Sequence, residues 1–460
     1  MIAMSLSQAA RPLAGTISGA DATFTGVSTD TRRLAAGNLF VALRGANFDG
    51  HAFLAEAQAG GAAAALVNHP LDGVSIPQLV VADTLAALQV LAHRHRQSCA
   101  GRVIALTGSN GKTTVKEMIA AILRAHYGPE SVLATRGNLN NHIGVPLMLC
   151  ELDCERHQAA VFELGANHRG EIAMLAALVE PEIALVTNVA PAHLEGFGSV
   201  EAVAQTKGAI YAALPADGTA VVNADEHFAP QWVERLGTRR CIRFGASPQA
   251  DVRFLPERLR TIGAGHGART AFSLALGKRE ASFEMALLGR HNVLNAAAAM
   301  AVALALDIPA ATVADALAEL APAPGRLNAL AHRAGGLLID DSYNANPASL
   351  AAAIEVLASA GGERVLVLGD MAELGDDARG WHARAGAFAR AAGIDRLVAV
   401  GPLSAAAAQA FGRGGEVFAD RSAATRALRD SLAVDQSLLV KGSRTAGMDA
   451  VVRELARAEG

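Results

Sequence analysis

The stretch Val103–Leu123, VIALTGSNGKTTVKEMIAAIL, runs from an apolar segment through a glycine-rich turn into a helix-forming segment. Val103 to Leu106 has the composition of a buried strand, and Gly108 and Gly111 permit a tight turn. Beyond the turn Val115, Met118, Ile119, Ile122 and Leu123 fall at i, i+3, i+4, i+7 and i+8, one apolar stripe along a helix that opens at Thr113. The usual phosphate-loop pattern asks for a glycine five residues before the Gly-Lys pair, where Leu106 stands, and Gly108 lies only three before Gly111. The shortened loop keeps the physics. Backbone N–H groups and the helix dipole converge on one anion, and Lys112 supplies the counter-charge. A plain solvated strand-to-helix turn gives no reason for Gly-Lys-Thr-Thr at a helix start. Gly108, Ser109, Asn110, Gly111, Lys112, Thr113 and Thr114 are therefore expected to cradle a phosphate group.

Further strands surround this unit. Apolar runs ending in polar loops recur as VIALTG, AVFELG, IALVTNV and TAVVNAD, separated by helical patterns, which predicts a parallel sheet. Ligands of such sheets gather at the carboxyl ends of strands, where Glu163, Asn188 and Asp225 fall. Residues 1–82 alternate short strands with alanine-rich helical segments around the polar turn RGANFDGH, a small α/β domain. The proline-glycine break APAPGRL (Ala321–Leu327) separates a second open sheet, with GLLIDDSY, RVLVLGDM, RLVAVG and SLLVKGSR as its strands. The fold class expected is α/β in three domains: 1–82, a central phosphate-loop domain over 83–321, and a Rossmann-like domain over 322–460, with a cleft between the last two.

The 460 residues are 51% hydrophobic and 18% charged, enough for large cores. A net charge of -4 without a basic run removes the electrostatic case for nucleic acid, so small ligands are expected. Cys99, Cys150, Cys154 and Cys241 lack paired metal-ligand spacing, and the amino terminus lacks the charged start and apolar stretch of a signal peptide, which favours a reducing cytoplasm. The most apolar helical run, AAAAMAVALAL from Ala296, ends at Asp307 and is too short to span a bilayer.

TGSNGKTT, VFELGANHRGEI, TNVAPAHLEGFGS, KGAIY, GRHNVLNA, DDSYNANPASL, LGDMAELG and VKGSR occur in the order found in the Mur ligases, which the chain resembles from Val27 to Ser443. These are ATP-dependent amide-bond-forming enzymes of bacterial cell-wall synthesis, and the shortened phosphate loop is the form they use. DSYNANP and ELGANHRGEI resemble the member whose substrates are UDP-N-acetylmuramoyl-tripeptide and D-alanyl-D-alanine. The diaminopimelate-selecting Asp-Asn-Pro-Arg motif of the preceding ligase is not found in the sequence. The resemblance implies ATP and Mg²⁺ as cofactors, small-molecule partners, no membrane insertion and a monomer.

It also assigns roles. Lys112 would contact the β and γ phosphates and Thr113 a Mg²⁺ ion. Glu163, a strand-end carboxylate costly to bury unpaired, would be a magnesium ligand; by itself it reads equally as a partly solvated acid. His193 alone reads as a surface histidine, and the resemblance makes it part of a second metal site. Lys207 alone reads as an exposed helical lysine; the resemblance implies a carbamylated one, an anion beside the second Mg²⁺. Asn292 and Asn295, which share a helix face and of which one could be an N-cap, would bind nucleotide. Arg326 would reach the ATP phosphates from the third domain. Asp341, Asn344 and Asn346 form a strand-end loop closing over nucleotide and incoming amine, although turn chemistry alone accounts for Asn-Ala-Asn-Pro. In the first domain Ser28, Asp30, Asn47, Asp49, Gly50 and His51 would hold the uridine nucleotide sugar, with Asp30-Thr31-Arg32 in place of the family's acidic-Ser-Arg turn. Other amide ligases of this architecture, and a nucleotide-dependent switch, are the competing readings.

Overall fold

The computed structural model describes residues 1–457 apart from 46, 192–193 and 264. Three mixed or parallel sheets carry most of the chain. In the first, Thr16–Ser18, Gln78–Val80, Ala64–Val67, Leu39–Val41 and Val27–Ser28 lie side by side, parallel except at the Thr16–Ser18 edge. The helix Thr84–Gln97 leaves this sheet capped by Asp83, whose carboxylate accepts from Leu85 and Ala86 N–H. Its Leu88, Leu91 and Ala92 join one continuous core with first-sheet residues such as Leu39 and central-sheet residues such as Ala105 and Phe162.

The central sheet has ten strands. Seven of them, Val132–Ala134, Ala159–Glu163, Arg102–Thr107, Ile183–Val186, Thr219–Asn223, Arg240–Gly245 and Val252–Phe254, are consecutive neighbours and parallel. Parallel strands covered on both faces need apolar side chains throughout, and Ile104, Ala105 and Leu106 are all fully buried. An antiparallel extension, Arg260–Ile262, Arg269–Leu276 and Arg279–Met285, finishes one edge. That extension is not foreshadowed by the strand pattern, because the alternation of polar and apolar residues in it is weak and one of its faces is wet.

The helix Lys112–Tyr127 packs on this sheet by the predicted stripe: Val115, Met118, Ile119, Ile122 and Leu123 are at most 1% exposed. Each such side chain contributes on the order of 2 kcal/mol. The helix begins at Lys112 rather than Thr113, since Gly111 takes the left-handed N-cap conformation (φ 78°).

The third sheet runs Asn328–Ala331, Leu337–Asp341, Gln436–Lys441, Glu363–Gly369, Arg396–Val400 and Gly415–Phe418, parallel except at the first pair. Its four anticipated strands are present, and the two edge strands were too short and polar to stand out. No described helix is long and apolar enough to cross a membrane.

Cys99 and Cys154, which are 55 residues apart, are joined as a disulfide where the end of Thr84–Gln97 meets the turn after Gly144–Cys150. Spacing along the chain gave no sign of this pairing, because only the packing of helix end on turn creates it.

Candidate active site

Strands Arg102–Thr107, Ala159–Glu163, Ile183–Val186 and Thr219–Asn223 run parallel, so the polar residues at their carboxyl ends gather at one end of the central sheet.

 The side chains that matter sit in the loops that follow those strands.

The loop Gly108–Gly111 is pinned from one side. Ser109 N–H donates to Asn188 O (2.9 Å), and Asn110 N–H donates to Asn188 Oδ1 (2.9 Å). Thr187 Oγ1 (2.7 Å) and Asn188 Nδ2 (3.0 Å) both donate to Asn110 O. Lys112 Nζ donates to Gly108 O (2.8 Å) and Ser109 O (3.3 Å), which holds the ammonium over the loop. Burial pushes its pKa down, the Glu163 carboxylate opposes that, and Arg326 adds to it. A lysine and an arginine from different domains thus share one field, the electrostatics of a polyanion site.

Gly108 (φ 153°) has no room for a side chain, because a Cβ there would stand 1.8 Å from Thr187 Oγ1. Gly111 faces Asn295, whose Oδ1 would lie 2.6 Å from an added Cβ. Gly108→Ala is expected to raise the KM for ATP at least tenfold while leaving the circular-dichroism spectrum unchanged, since strain of this kind costs roughly 1–3 kcal/mol. An unchanged KM would show that the loop does not depend on that close approach.

Glu163 is 2% exposed and fixed at three points. Its Oε2 accepts from Thr113 Oγ1 and its Oε1 from Asn140 Nδ2, both at 2.9 Å, and its N–H donates to Thr135 Oγ1 (3.0 Å). A buried carboxylate oriented beside a helix-start hydroxyl is a hard-oxygen donor set that fits Mg²⁺. Asn140 and Thr135 escaped the sequence reading; the one available signal was the asparagine-rich, aperiodic loop TRGNLNNHIG.

Lys207 is 2% exposed, which overturns the reading of an exposed helical lysine. Its pKa is pushed well down by burial and then by the charge of Lys112. Among the described residues its ammonium has no hydrogen-bond or ion-pair partner, and the ring centre of Phe197 lies 6.0 Å away. Lys207 is not among the side chains lining the cleft. His193 falls outside the described residues.

Asn292 and Asn295 lie inside the helix Arg290–Ala305, whose N-cap is Gly289, so neither serves as the cap. Asn292 Nδ2 donates to Leu288 O (2.8 Å), and Asn295 Nδ2 donates to Asn292 Oδ1 (3.0 Å). Neighbouring His291 is pushed down to about 4 by burial and then by Lys441, so it is neutral at physiological pH.

From the third domain, Arg326 lies over the ring of Tyr343, 4.4 Å from its centre. Asp341 accepts from Leu327 N–H (3.2 Å) and pairs with buried Lys441, which also donates to Asn344 O (2.9 Å). Burial raises the Asp341 pKa, and Lys441 opposes the rise. Asn346 caps the helix Pro347–Ala358 through Oδ1 and donates through Nδ2 to Asn110 Oδ1 (2.7 Å), a direct bond between third domain and phosphate loop.

These residues line one cleft of about 880 Å³. Ser109 to Thr114, Glu163, Asn292, Asn295, Arg326, Asp341, Asn344 and Asn346 all face it, so the structure brings these residues together. The first-domain residues stand elsewhere. Asp30 accepts from Arg32 and is lowered to about 2 by that contact. Asp49 accepts from His51 and Arg44. Ser28 Oγ donates to Asp30 O (2.9 Å), Asn47 is exposed, and Gly50 packs where a Cβ would meet Leu43 backbone at 2.7 Å. Asp30 and Asp49 spend their carboxylates shaping their own turns.

Comparison with known proteins agrees with this geometry. The Mur ligase middle domain matches residues 106–303, the Mur ligase glutamate ligase domain residues 325–444, and the Mur ligase family catalytic domain residues 23–96. The UDP-N-acetylmuramoyl-tripeptide–D-alanyl-D-alanine ligase of Escherichia coli (strain K12) is 47% identical over 457 residues, 99% of each chain. The crystal structure of MurF from Acinetobacter baumannii superposes with a TM-score of 0.90 at 35% identity, covering 99% of both chains. MurF ligase from Thermotoga maritima in complex with ADP gives 0.80 at 25% identity, covering 93% of this chain and 96% of that one. With its phosphate loop, its buried carboxylate and the arginine of its third domain all meeting in one cleft, this chain belongs to the Mur ligase family.

Proposed function

We propose that the protein joins D-alanyl-D-alanine to UDP-N-acetylmuramoyl-tripeptide, converting ATP to ADP and phosphate and supplying a peptidoglycan precursor. The observation that carries the reading is the meeting of Lys112 and Arg326 at one cleft, which surrounds a transferring phosphoryl group with cations from two domains. In this division of labour residues 1–82 hold the muramoyl nucleotide through Ser28, Asp30, Asn47, Asp49, Gly50 and His51. Residues 83–321 bind ATP, and residues 322–460 bring Arg326 and the Asp341–Asn346 loop.

A carboxylate does not condense with an amine directly, because oxide would have to leave. The tripeptide carboxylate oxygen attacks the γ-phosphorus, the bond to the β–γ bridging oxygen breaks, and ADP departs. The neutral amine nitrogen of D-alanyl-D-alanine then attacks the acyl carbon of the acyl phosphate, the carbon–oxygen bond breaks, the nitrogen gives up a proton to solvent, and phosphate leaves as the new amide forms. Lys112 and Arg326 hold and neutralise the phosphoryl oxygens, and the N–H groups of the loop and Asn292 and Asn295 position the nucleotide. Thr113 and Glu163 would hold Mg²⁺, with His193 and a carbamylated Lys207 for a second ion; Mg²⁺ supplies charge neutralisation of the phosphates. No side chain serves as nucleophile.

We also propose a monomer working in the cytoplasm. The cleft is lined by residues of a single chain, and no described helix is long and apolar enough to cross a membrane.

The test is ADP release measured with UDP-muramoyl peptides, with and without D-alanyl-D-alanine. Release is expected only when tripeptide and dipeptide are both present. Steady ATP hydrolysis without an amine would instead favour a nucleotide switch.

A further inference from the structure

The incoming dipeptide carries a carboxylate at its far end, and the ligation chemistry above assigns it no partner. Most cations of the cleft are committed. Lys112 lies over the phosphate loop, and Lys441 is buried against Asp341. Arg326 faces the phosphates in the reading above.

Among the described residues a further cation stands beside Tyr343, which lines the cleft, although that cation does not line the cleft itself. Arg444 sits on the turn Arg444–Ala446, immediately after the strand that ends at Lys441, and its side chain is exposed. Its guanidinium carbon lies 5.7 Å from the centre of the Tyr343 ring, the same ring that Arg326 covers at 4.4 Å. Among the described residues no carboxylate forms an ion pair with Arg444. Asp449 is near enough to feel its charge, but the Asp449 carboxylate is engaged by Arg453 Nη1 (2.6 Å). The turn itself is held from elsewhere, by Arg421 Nη1 donating to Gly447 O (2.8 Å), so Arg444 is not needed to shape it.

The spacing suits a dipeptide. The two guanidinium carbons are at most about 10 Å apart, the combined reach of their distances to the shared ring. An extended dipeptide spans roughly 7 Å, at 3.3–3.6 Å per residue. An amine placed at the acyl phosphate, near Arg326, therefore brings the other end of the molecule toward Arg444. A planar guanidinium matches a carboxylate with two parallel N–H donors, and the Tyr343 ring keeps it oriented.

We propose that Arg444 binds the terminal carboxylate of the incoming D-alanyl-D-alanine and so selects a free-acid dipeptide as the acceptor amine. This rests on the ligase reading above.

Steady-state kinetics with D-alanyl-D-alanine and with its carboxamide, D-alanyl-D-alaninamide, tests it. Arg444→Gln should raise the KM for the free acid roughly tenfold to a hundredfold, the loss typical of a charge-assisted contact, with little change in the KM for ATP or the muramoyl peptide. The wild type should use the carboxamide poorly, and Arg444→Gln should leave that poor use unchanged. Arg444→Lys should restore part of the free-acid affinity, because it keeps the charge and loses the fork. An unchanged KM for the free acid, or an equal loss for acid and carboxamide, overturns the proposal. A wild type with no dipeptide-dependent turnover at all overturns instead the ligase reading on which it stands.

Discussion

Lys112→Ala is expected to lower turnover at least a hundredfold while leaving the fold intact. The ammonium lies over the phosphate loop, bonded to the carbonyls of Gly108 and Ser109, and among the described residues the other lysine lining the cleft is Lys441, which is paired with Asp341. Removing a fixed cation from a transferring phosphoryl group costs on the order of 3 kcal/mol or more, because charge that develops there has no mobile counter-ion to replace it. Two features separate this from general damage. The apolar face of the helix is untouched, so the melting temperature should stay near that of the wild type. Arg326, which shares the field of Lys112, remains to hold the nucleotide, so kcat should fall further than the ATP affinity. Turnover within a few-fold of wild type would remove the phosphate-loop role.

Lys207→Ala should be nearly inactive and partly recovered by added acetate or another small carboxylate. A buried ammonium with no acceptor is costly, and burial together with Lys112 favours the neutral amine. A neutral amine adds to carbon dioxide: nitrogen forms a bond to carbon, one proton leaves to solvent, and a carbamate anion results. The anion would answer the local excess of positive charge and offer oxygens to a hard metal. Lys207→Arg should not recover with acetate, since it keeps a cation in place. Carbon-13 bicarbonate should give a carbamate resonance in the wild type that Lys207→Ala lacks, a readout independent of turnover. Full activity of Lys207→Ala, or absence of that resonance together with full activity in enzyme stripped of carbon dioxide, would leave Lys207 as a buried structural lysine.

Much of this was legible in the sequence because parallel sheets write themselves plainly. Val103–Leu106 and Ala159–Phe162 are apolar on both faces; the first runs on into the loop from Ser109 that lines the cleft, and the second is followed directly by Glu163, which lines it too. The helix stripe from Val115 to Leu123 could be read from spacing alone. The antiparallel hairpin Arg269–Leu276 and Arg279–Met285 could not, since one of its faces is wet and its alternation is weak. Local sequence also gives little warning of pairs made by the fold. Asn140 reaches Glu163 from 23 residues away, and Cys99 meets Cys154 across 55. Lys207 shows the same limit in another form, for nothing in AVAQTKGAIY says that this lysine faces inward. It is buried beside Phe197, itself 1% exposed, whose ring centre lies 6.0 Å from its ammonium.

The bond from Asn346 to Asn110 ties two walls of the cleft together, so any form in which those walls part must break it. A single neutral hydrogen bond is worth about 1 kcal/mol net, which weights the shut form by roughly fivefold. For a nucleotide that contacts both walls, the joined arrangement can lower the apparent dissociation constant by no more than the same factor. The same bond must break before products escape, so it slows reopening by no more than it helps capture. A latch of that strength tilts the cycle toward holding reactants without trapping what they become.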